Sequence, residues 1–504
     1  MSLVGVFGWW YRRGDCGWCI ELVMNVERHL SHGEADRDSA TTGHVLLLNY
    51  FFPPMVGGGM PRPVKMAKYL RHLGWKVTVL TVEAEGSVDE LLSVDGATNV
   101  VRVREWKLGW FLRAADRTVH FMRLCVERLT VRGRSRQTVL GHGFAYEEHE
   151  IASSKVGWVL PAVRAALRVH RISPIDVAVV SLPPASSGTV GWLLRRLRGM
   201  PYIVEYRDPW TVGAFWTADA DGTPRTDVVT RTRLWVTRRL EAALLSDCAG
   251  SVIVNGEAHV GRLAAAFARQ TAGKPIVHIR NGVDLEDVGL LPRRPVLAST
   301  LRLLHTGFFY HFHTPHHLIN ALRLVQRTHS QALDGVELEF MGGGFPPQLV
   351  RELERWGLGD LVRLTEAEPY SQALAAMHRA DGLIVVLPPL ASDSERLPTK
   401  LYEYLSTNRP ILAVAHPAGA TARLLDGVPG VLVADNGDQE AIASGFATFV
   451  AMARQQRVHG YPAESAQRGD AHHYGERAAC MDAFLHQVLA PVRASRYGDG
   501  SNPG

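Results

Sequence analysis

The chain has 504 residues, more than one hydrophobic core supports, which suggests two or three domains. An apolar content of 46% with 21% charged residues excludes a disordered chain, and no run of about 18 apolar residues reads as a membrane span. The net charge of +5 and pI near 9.0 suit an anionic ligand or an acidic membrane surface without demanding nucleic acid; no RNA-binding signature or zinc-finger spacing is present. Five cysteines do not make a disulfide framework and fit a reducing cytoplasm.

Residues 1–43 read as a poorly ordered N-terminal extension. Cys16 and Cys19 form a C-x-x-C without a second pair or a preceding thioredoxin-like strand, which argues against a redox or metal site. The fold starts at 44–81, HVLLLNYFFPPMVGGGMPRPVKMAKYLRHLGWKVTVLT. An apolar run at 45–48 predicts a buried parallel strand, and Val64, Ala67, Leu70 and Leu73 recur at helical spacing over 61–73. With a strand at 77–80 this is a βαβ unit. Its Gly57, Gly58 and Gly59 stand at the carboxyl end of the first strand, where open α/β sheets bind ligands, without forming a G-x-G-x-x-G fingerprint.

Residues 101–136 are arginine-rich, and Leu108, Phe111, Leu112, Ala115, Val119 and Met122 fall on one helical face. Such a helix either lies in an anionic bilayer interface or packs its stripe on the sheet. Strands follow at 177–182 and 202–206 around a helix at 190–197, and the second strand runs into Arg207-Asp208-Pro209-Trp210. Arg207 and Asp208 are candidates for the acceptor side of a cleft, or a structural ion pair over Trp210. A helix at 235–245 and strands at 251–255 and 276–280 lead to the Asn281-Gly282-Val283-Asp284 turn, after which 287–300 has no helical pattern and reads as a linker.

A second βα alternation begins at Leu301 and repeats the layout. Its first strand ends at Thr306-Gly307, where the backbone can meet a nucleotide. Within 392–410, SDSERLPTKLYEYLSTNRP, a helix is predicted with Pro398 at its first position and a left-handed stop near Asn408 before Pro410. The free amides of Thr399 and Lys400 at its positive end, with the Lys400 ammonium, make a phosphate seat flanked by Glu395 and Glu403.

The paired glutamates resemble the donor site of retaining family 4 glycosyltransferases of GT-B architecture. The tyrosine-phenylalanine-phenylalanine-proline-proline stretch with its glycines, Arg62, Lys65, the RDPW segment and the NGVD turn resemble one branch of that family. The resemblance implies an α/β GT-B fold: two Rossmann-like domains with parallel sheets facing a central cleft. On that reading 44–286 is the N-terminal acceptor domain, 287–300 the linker, 301–455 the nucleotide-sugar-binding domain, 456–493 helices crossing back and 494–504 a flexible tail. By resemblance Glu395 contacts the transferred sugar and Glu403 the ribose. Glu395, Lys400 and Asp208 are then the catalytic candidates; Gly58, Gly59, Arg62, Arg207, Thr306, Gly307, Pro398, Thr399 and Glu403 bind the donor.

The implied reaction needs a nucleotide-sugar donor and a glycan or lipid-linked acceptor, with no cofactor, no metal and no nucleic acid, in the cytoplasm or at the inner face of the membrane through 101–136. Two departures stand out. Phe308, Phe309, Tyr310, His311, Phe312, His313 and Thr314 replace the family's diphosphate-binding arginine and lysine, and the loop at 182–185 lacks its histidine. The histidines at 311, 313, 316 and 317 lack carboxylate partners at metal-ligand spacing. A nucleotide-sugar 2-epimerase and a non-catalytic nucleotide-sugar or membrane-binding module remain as alternatives.

Overall fold

The computed structural model describes residues 42–55, 57, 59–106, 154–213, 226–290, 300–309, 315–389, 394–460 and 470–497. Seven strands form the first sheet: β1 (Gly43–Leu48), β2 (Trp75–Val82), β3 (Asn99–Val103), β4 (Val177–Leu182), β5 (Tyr202–Tyr206), β6 (Gly250–Ile253) and β7 (Ile276–His278). Their order is β3-β2-β1-β4-β5-β6-β7, and every neighbouring pair is parallel.

The apolar run Val45 to Leu48 of β1 is explained by helices on both faces. Leu46 and Leu48 join one core with Val180, Val204 and Trp158, while Val45 and Leu47 join another with Val64, Leu70 and Val252. Helices α1 (Pro61–His72), α2 (Val159–Ile172), α3 (Ala185–Arg198), α4 (Val228–Asp247) and α5 (Ala258–Ala266) supply these layers.

The second sheet has six parallel strands, β8 (Leu301–Thr306), β9 (Val336–Met341), β10 (Val362–Thr365), β11 (Gly382–Val386), β12 (Ile411–Ala415) and β13 (Val431–Asp435), in the order β10-β9-β8-β11-β12-β13. Leu303, Ile384 and Leu412 face one core; Leu304, Leu383 and Ile411 face the other. In each sheet the strand order reverses once, between β1 and β4 and between β8 and β11. At such a point the following loops diverge and leave a crevice at the carboxyl ends of the strands. Gly59, Gly307 and the segment leading into residue 399 all lie in these loops.

The last helix, α13 (Tyr474–Tyr497), leaves the second domain and returns to the first. Its Tyr474, Met481, Phe484 and Leu485 join the core of Val45, Trp75 and Val252, and Trp75 Nε1 donates to Asp482 at 2.6 Å. It runs to Tyr497, past the start expected for the tail at 494. Before it, α12 (Gln439–His459) stays in the second domain, packed on β12 and β13.

Other readings shift. Residues 99–103 are the edge strand β3, and Arg102 donates to the Pro53 carbonyl at 2.6 Å, so the start of the 101–136 segment belongs to the sheet. Residues 107–136, on which the bilayer reading rests, lie outside the described residues, as do Cys16 and Cys19. The linker opens on a short helix, α6 (Leu285–Gly289), which periodicity missed because it is one turn capped by Asp284 and pinned by Lys65 to Asp284 (3.0 Å) and Asp287 (2.7 Å). Among the described residues, no helix is long and apolar enough to cross a membrane.

Phe484 is 2% exposed and sits against Gly250, where an added Cβ would lie 2.8 Å from its ring. Phe484→Ala is expected to destabilise the protein by about 3–5 kcal/mol, read as a lower thermal unfolding midpoint; an unchanged midpoint would show that α13 is not part of the first domain's core.

Candidate active site

Helix α10 (Thr399–Ser406) follows β11. Pro398 occupies its N-cap, one position earlier than expected, and offers no side-chain hydrogen bond to the first turn. Leu401 N returns to the Pro398 carbonyl, while among the described residues no side chain caps the amides of Thr399 and Lys400. At the other end Asn408 adopts φ 59°, the left-handed stop read from the sequence. The positive end of α10 faces the first domain: Asn281 Nδ2 donates to Thr399 Oγ1 at 3.1 Å, and Gly256 N donates to the Glu395 carbonyl at 2.8 Å.

Lys400 reaches back along the sheet to β8, its Nζ 3.3 Å from His305 Nε2. His305 Nδ1 lies 2.9 Å from the Ile384 carbonyl, which can only accept, so Nδ1 carries the proton and Nε2 accepts from the ammonium. The imidazole is clamped flat on Phe309, ring centroids 4.8 Å apart. Gly307, at φ 119°, leaves the space the ammonium uses: a Cβ there would stand 2.5 Å from Nζ. Burial lowers the Lys400 pKa to about 8, against the opposing pull of the Glu403 charge. Burial also raises Glu403 to about 7, although the Tyr370 hydroxyl and Lys400 both favour its carboxylate. Thr306 is set by Tyr404, whose hydroxyl lies 2.9 Å from its amide and 3.1 Å from Oγ1.

Glu395 is buried, and Arg423 Nη2 holds both of its oxygens at 2.8 and 2.9 Å. In the first domain Arg207 is half-buried, its guanidinium lying over Gly59, where an added Cβ would meet Nη2 at 1.4 Å. Asp208 Oδ1 accepts from Asn255 at 3.3 Å.

Arg62 lies in the interior of the first domain. It is 2% exposed; its Nε and Nη2 grip Glu205 Oε1 at 3.0 and 2.8 Å, and Nη1 donates to the Arg280 carbonyl at 2.8 Å. Nη1 also lies 3.5 Å from Asn281 Oδ1, so the guanidinium is engaged with the first domain's own groups. Gly58, His311 and His313 lie outside the described residues. His316 pairs with Glu352 at 3.2 Å, and His317 meets Gln439 at 3.3 Å.

The structure thus gathers Lys400, Glu403, Thr306, Gly307, Pro398 and Thr399 at one crevice, with Glu395 at its edge, and pairs Arg207 with Gly59 on the facing domain. His305, Arg423, Tyr370 and Asn281 complete these contacts and were not singled out from the sequence as site residues. The signal for His305 was a lone histidine closing an apolar strand just before Thr306-Gly307; Arg423 and Tyr370 carried none.

Residues 300–451 match the family model described as Glycosyl transferases group 1. Solved structures of the same architecture include sucrose-phosphate synthase from Thermosynechococcus elongatus, with a TM-score of 0.59 at 15% identity over 89% of this chain and 100% of that one. An alpha,alpha-trehalose 6-phosphate synthase from Burkholderia multivorans gives 0.59 at 11% identity, over 92% and 100%. WaaG, a glycosyltransferase involved in lipopolysaccharide biosynthesis, gives 0.51 at 12% identity, over 91% and 100%. The fold is GT-B. No curated protein matches the chain in sequence. Likeness at these identities speaks for the GT-B fold, and the family match over the second domain supports glycosyl transfer as its chemistry.

The Lys400 value of about 8 carries a test, because only the protonated ammonium attracts phosphate. Affinity for a nucleoside diphosphate, measured by calorimetry, is expected to fall as pH rises from about 7 to about 9.5. In Lys400→Met it should be weaker and should lack that fall. A parallel fall in the variant would assign the titration to another group.

Proposed function

We propose that this protein is a retaining, metal-independent glycosyltransferase that moves a sugar from a nucleotide-sugar donor to a glycan or lipid-linked acceptor, in building a cell-envelope or secreted polysaccharide. The observation that carries the reading is the uncapped, positive end of α10, with Lys400 in its first turn, directed at the facing domain between two buried carboxylates.

Breaking the anomeric bond leaves negative charge on a diphosphate and positive charge on the sugar ring. A group already fixed where the phosphate charge develops lowers the barrier, because nothing has to reorient during the step. Lys400, held by His305, and the amides of Thr399 and Lys400 fill that role here. Glu403 then takes the ribose hydroxyls: the Tyr370 hydroxyl occupies one of roughly four acceptor positions on its carboxylate. Glu395, oriented by Arg423, addresses the sugar hydroxyls. Asp208 and Arg207 stand on the acceptor side. With no histidine in the loop after β4, the leaving phosphate oxygen takes the acceptor proton on the face it departs from, which yields retention. Closure of the two domains excludes water from the reactive sugar.

A panel of nucleotide sugars, with nucleotide release followed in the presence and absence of glycan acceptors, tests the proposal. Acceptor-dependent release with the donor's anomeric configuration kept in the product is the expected result. An isomerised free sugar, or binding without release, would overturn it. Glu403→Ala should weaken nucleotide binding by about ten- to a hundredfold, the worth of hydrogen bonds to a charged group, and unchanged affinity would remove the ribose assignment.

A further inference from the structure

Asn255 follows β6, is 6% exposed, and belongs to none of the roles assigned above. Its side-chain Nδ2 donates to the Arg207 carbonyl at 2.7 Å and to Asp208 Oδ1 at 3.3 Å. Its Oδ1 accepts from the Leu397 amide, across the cleft, at 3.1 Å. The Arg207 carbonyl can only accept and the Leu397 amide can only donate, so this amide has one orientation. Its backbone carbonyl accepts from His278 Nε2 of β7, which fixes the turn from below.

The next residue repeats the crossing. Gly256 N donates to the Glu395 carbonyl at 2.8 Å, and a Cβ on Gly256 would fall 2.0 Å from Glu395 Oε2. Only a glycine lets that carboxylate come so close. Two consecutive residues of the first domain therefore hold the loop carrying Glu395, and one of them also holds the loop carrying Arg207 and Asp208.

We infer that Asn255 is a positioning residue that sets the Arg207-Asp208 loop of one domain in register with the Glu395–Leu397 loop of the other, so that acceptor-side and sugar-side groups close on the reacting bond as one unit. The inference rests on the proposed transfer reaction for what is positioned, and on the hydrogen bonds alone for the clasp. Among the described residues no hydrogen bond joins Asn255 to Thr306, Gly307, Lys400 or Glu403, the groups the proposal places at the nucleotide, so its loss should spare nucleotide affinity. A loosened clasp admits water to a bound donor, so donor hydrolysis should grow at the expense of transfer.

Chemistry supplies a sharp variant in Asn255→Asp. When ionised, the substituted side chain would aim a carboxylate at the Arg207 carbonyl and the Asp208 carboxylate with no proton to donate. When protonated, it has an O–H and a C=O where the amide has N–H and C=O. The titratable groups around position 255 include Arg207 and Asp208 from the β5 loop, Glu257 and His259 at the start of α5, His278 from β7, and Glu395 with Arg423 and the neighbouring Arg396 from the second domain. All are shared with the unaltered protein, whose own pH profile is the reference.

The experiment compares the unaltered protein, Asn255→Asp and Asn255→Ala for transfer, donor hydrolysis and nucleotide affinity between about pH 8 and about pH 5. At the upper end both variants are expected to lose transfer by about tenfold with a raised hydrolysis share. As pH falls, Asn255→Asp should regain transfer relative to Asn255→Ala, with nucleotide affinity unchanged in both. Hydrogen exchange at the Leu397 and Gly256 amides of the full chain reads the clasp without any donor, and Asn255→Asp should exchange them faster at pH 8 than at pH 5 once the intrinsic pH dependence is divided out. If Asn255→Asp follows Asn255→Ala at every pH, or if exchange at Leu397 matches the unaltered protein, the inference falls. If the unaltered protein turns over no nucleotide sugar while exchange responds as expected, the transfer reading fails and the clasp stands.

Discussion

A single ammonium, held against a dry wall by a neutral imidazole, is the contact on which the candidate site depends. Lys400 gains little from that wall by itself, since burial pulls its pKa down to about 8. What makes the arrangement tenable is that His305 accepts from it, Glu403 lies on the same helix, and Gly307 leaves room for its head. A cation kept partly desolvated is underused until an anion arrives, which is what the proposed grip on a leaving diphosphate requires.

The fold's contribution is to bring the right loops to the same place. Both sheets are parallel and both reverse strand order once, so each opens a crevice at its carboxyl edge, and hydrogen bonds from Asn281 to Thr399 and from Gly256 to Glu395 join the two edges. The crossing-back helix α13 anchors the second domain's end in the first domain's core and limits how far the pair can separate.

Charge is partitioned in a way the composition conceals. Arg62 is spent inside the first domain on Glu205, and Lys65 on Asp284 and Asp287. Glu395 is matched by Arg423, which lies on a helix, Ala420–Leu425, packed beside β12. A buried charge left alone is strongly destabilising, so such pairs are maintained by the fold itself.

By itself the sequence determined the two βα alternations, the parallel sheets and the helix carrying Lys400 with its Asn408 stop, because hydrophobic period, proline and left-handed turn residues act over a few neighbours. It also pointed to Thr306 and Gly307, at a strand end that periodicity locates, while Glu395 and Glu403 were picked out by the resemblance of their segment to a family donor site. Tertiary structure alone decided which charges are already spoken for. Nothing near Arg62 in the chain reveals Glu205, and nothing near Glu395 reveals Arg423 or Gly256; Glu205 and Arg423 come from remote segments of the same domain and Gly256 from the facing one, and only the packed fold brings them within hydrogen-bond reach. The roles of His305 and Asn255 have the same origin, since a hydrogen bond between distant segments leaves no periodic trace in either.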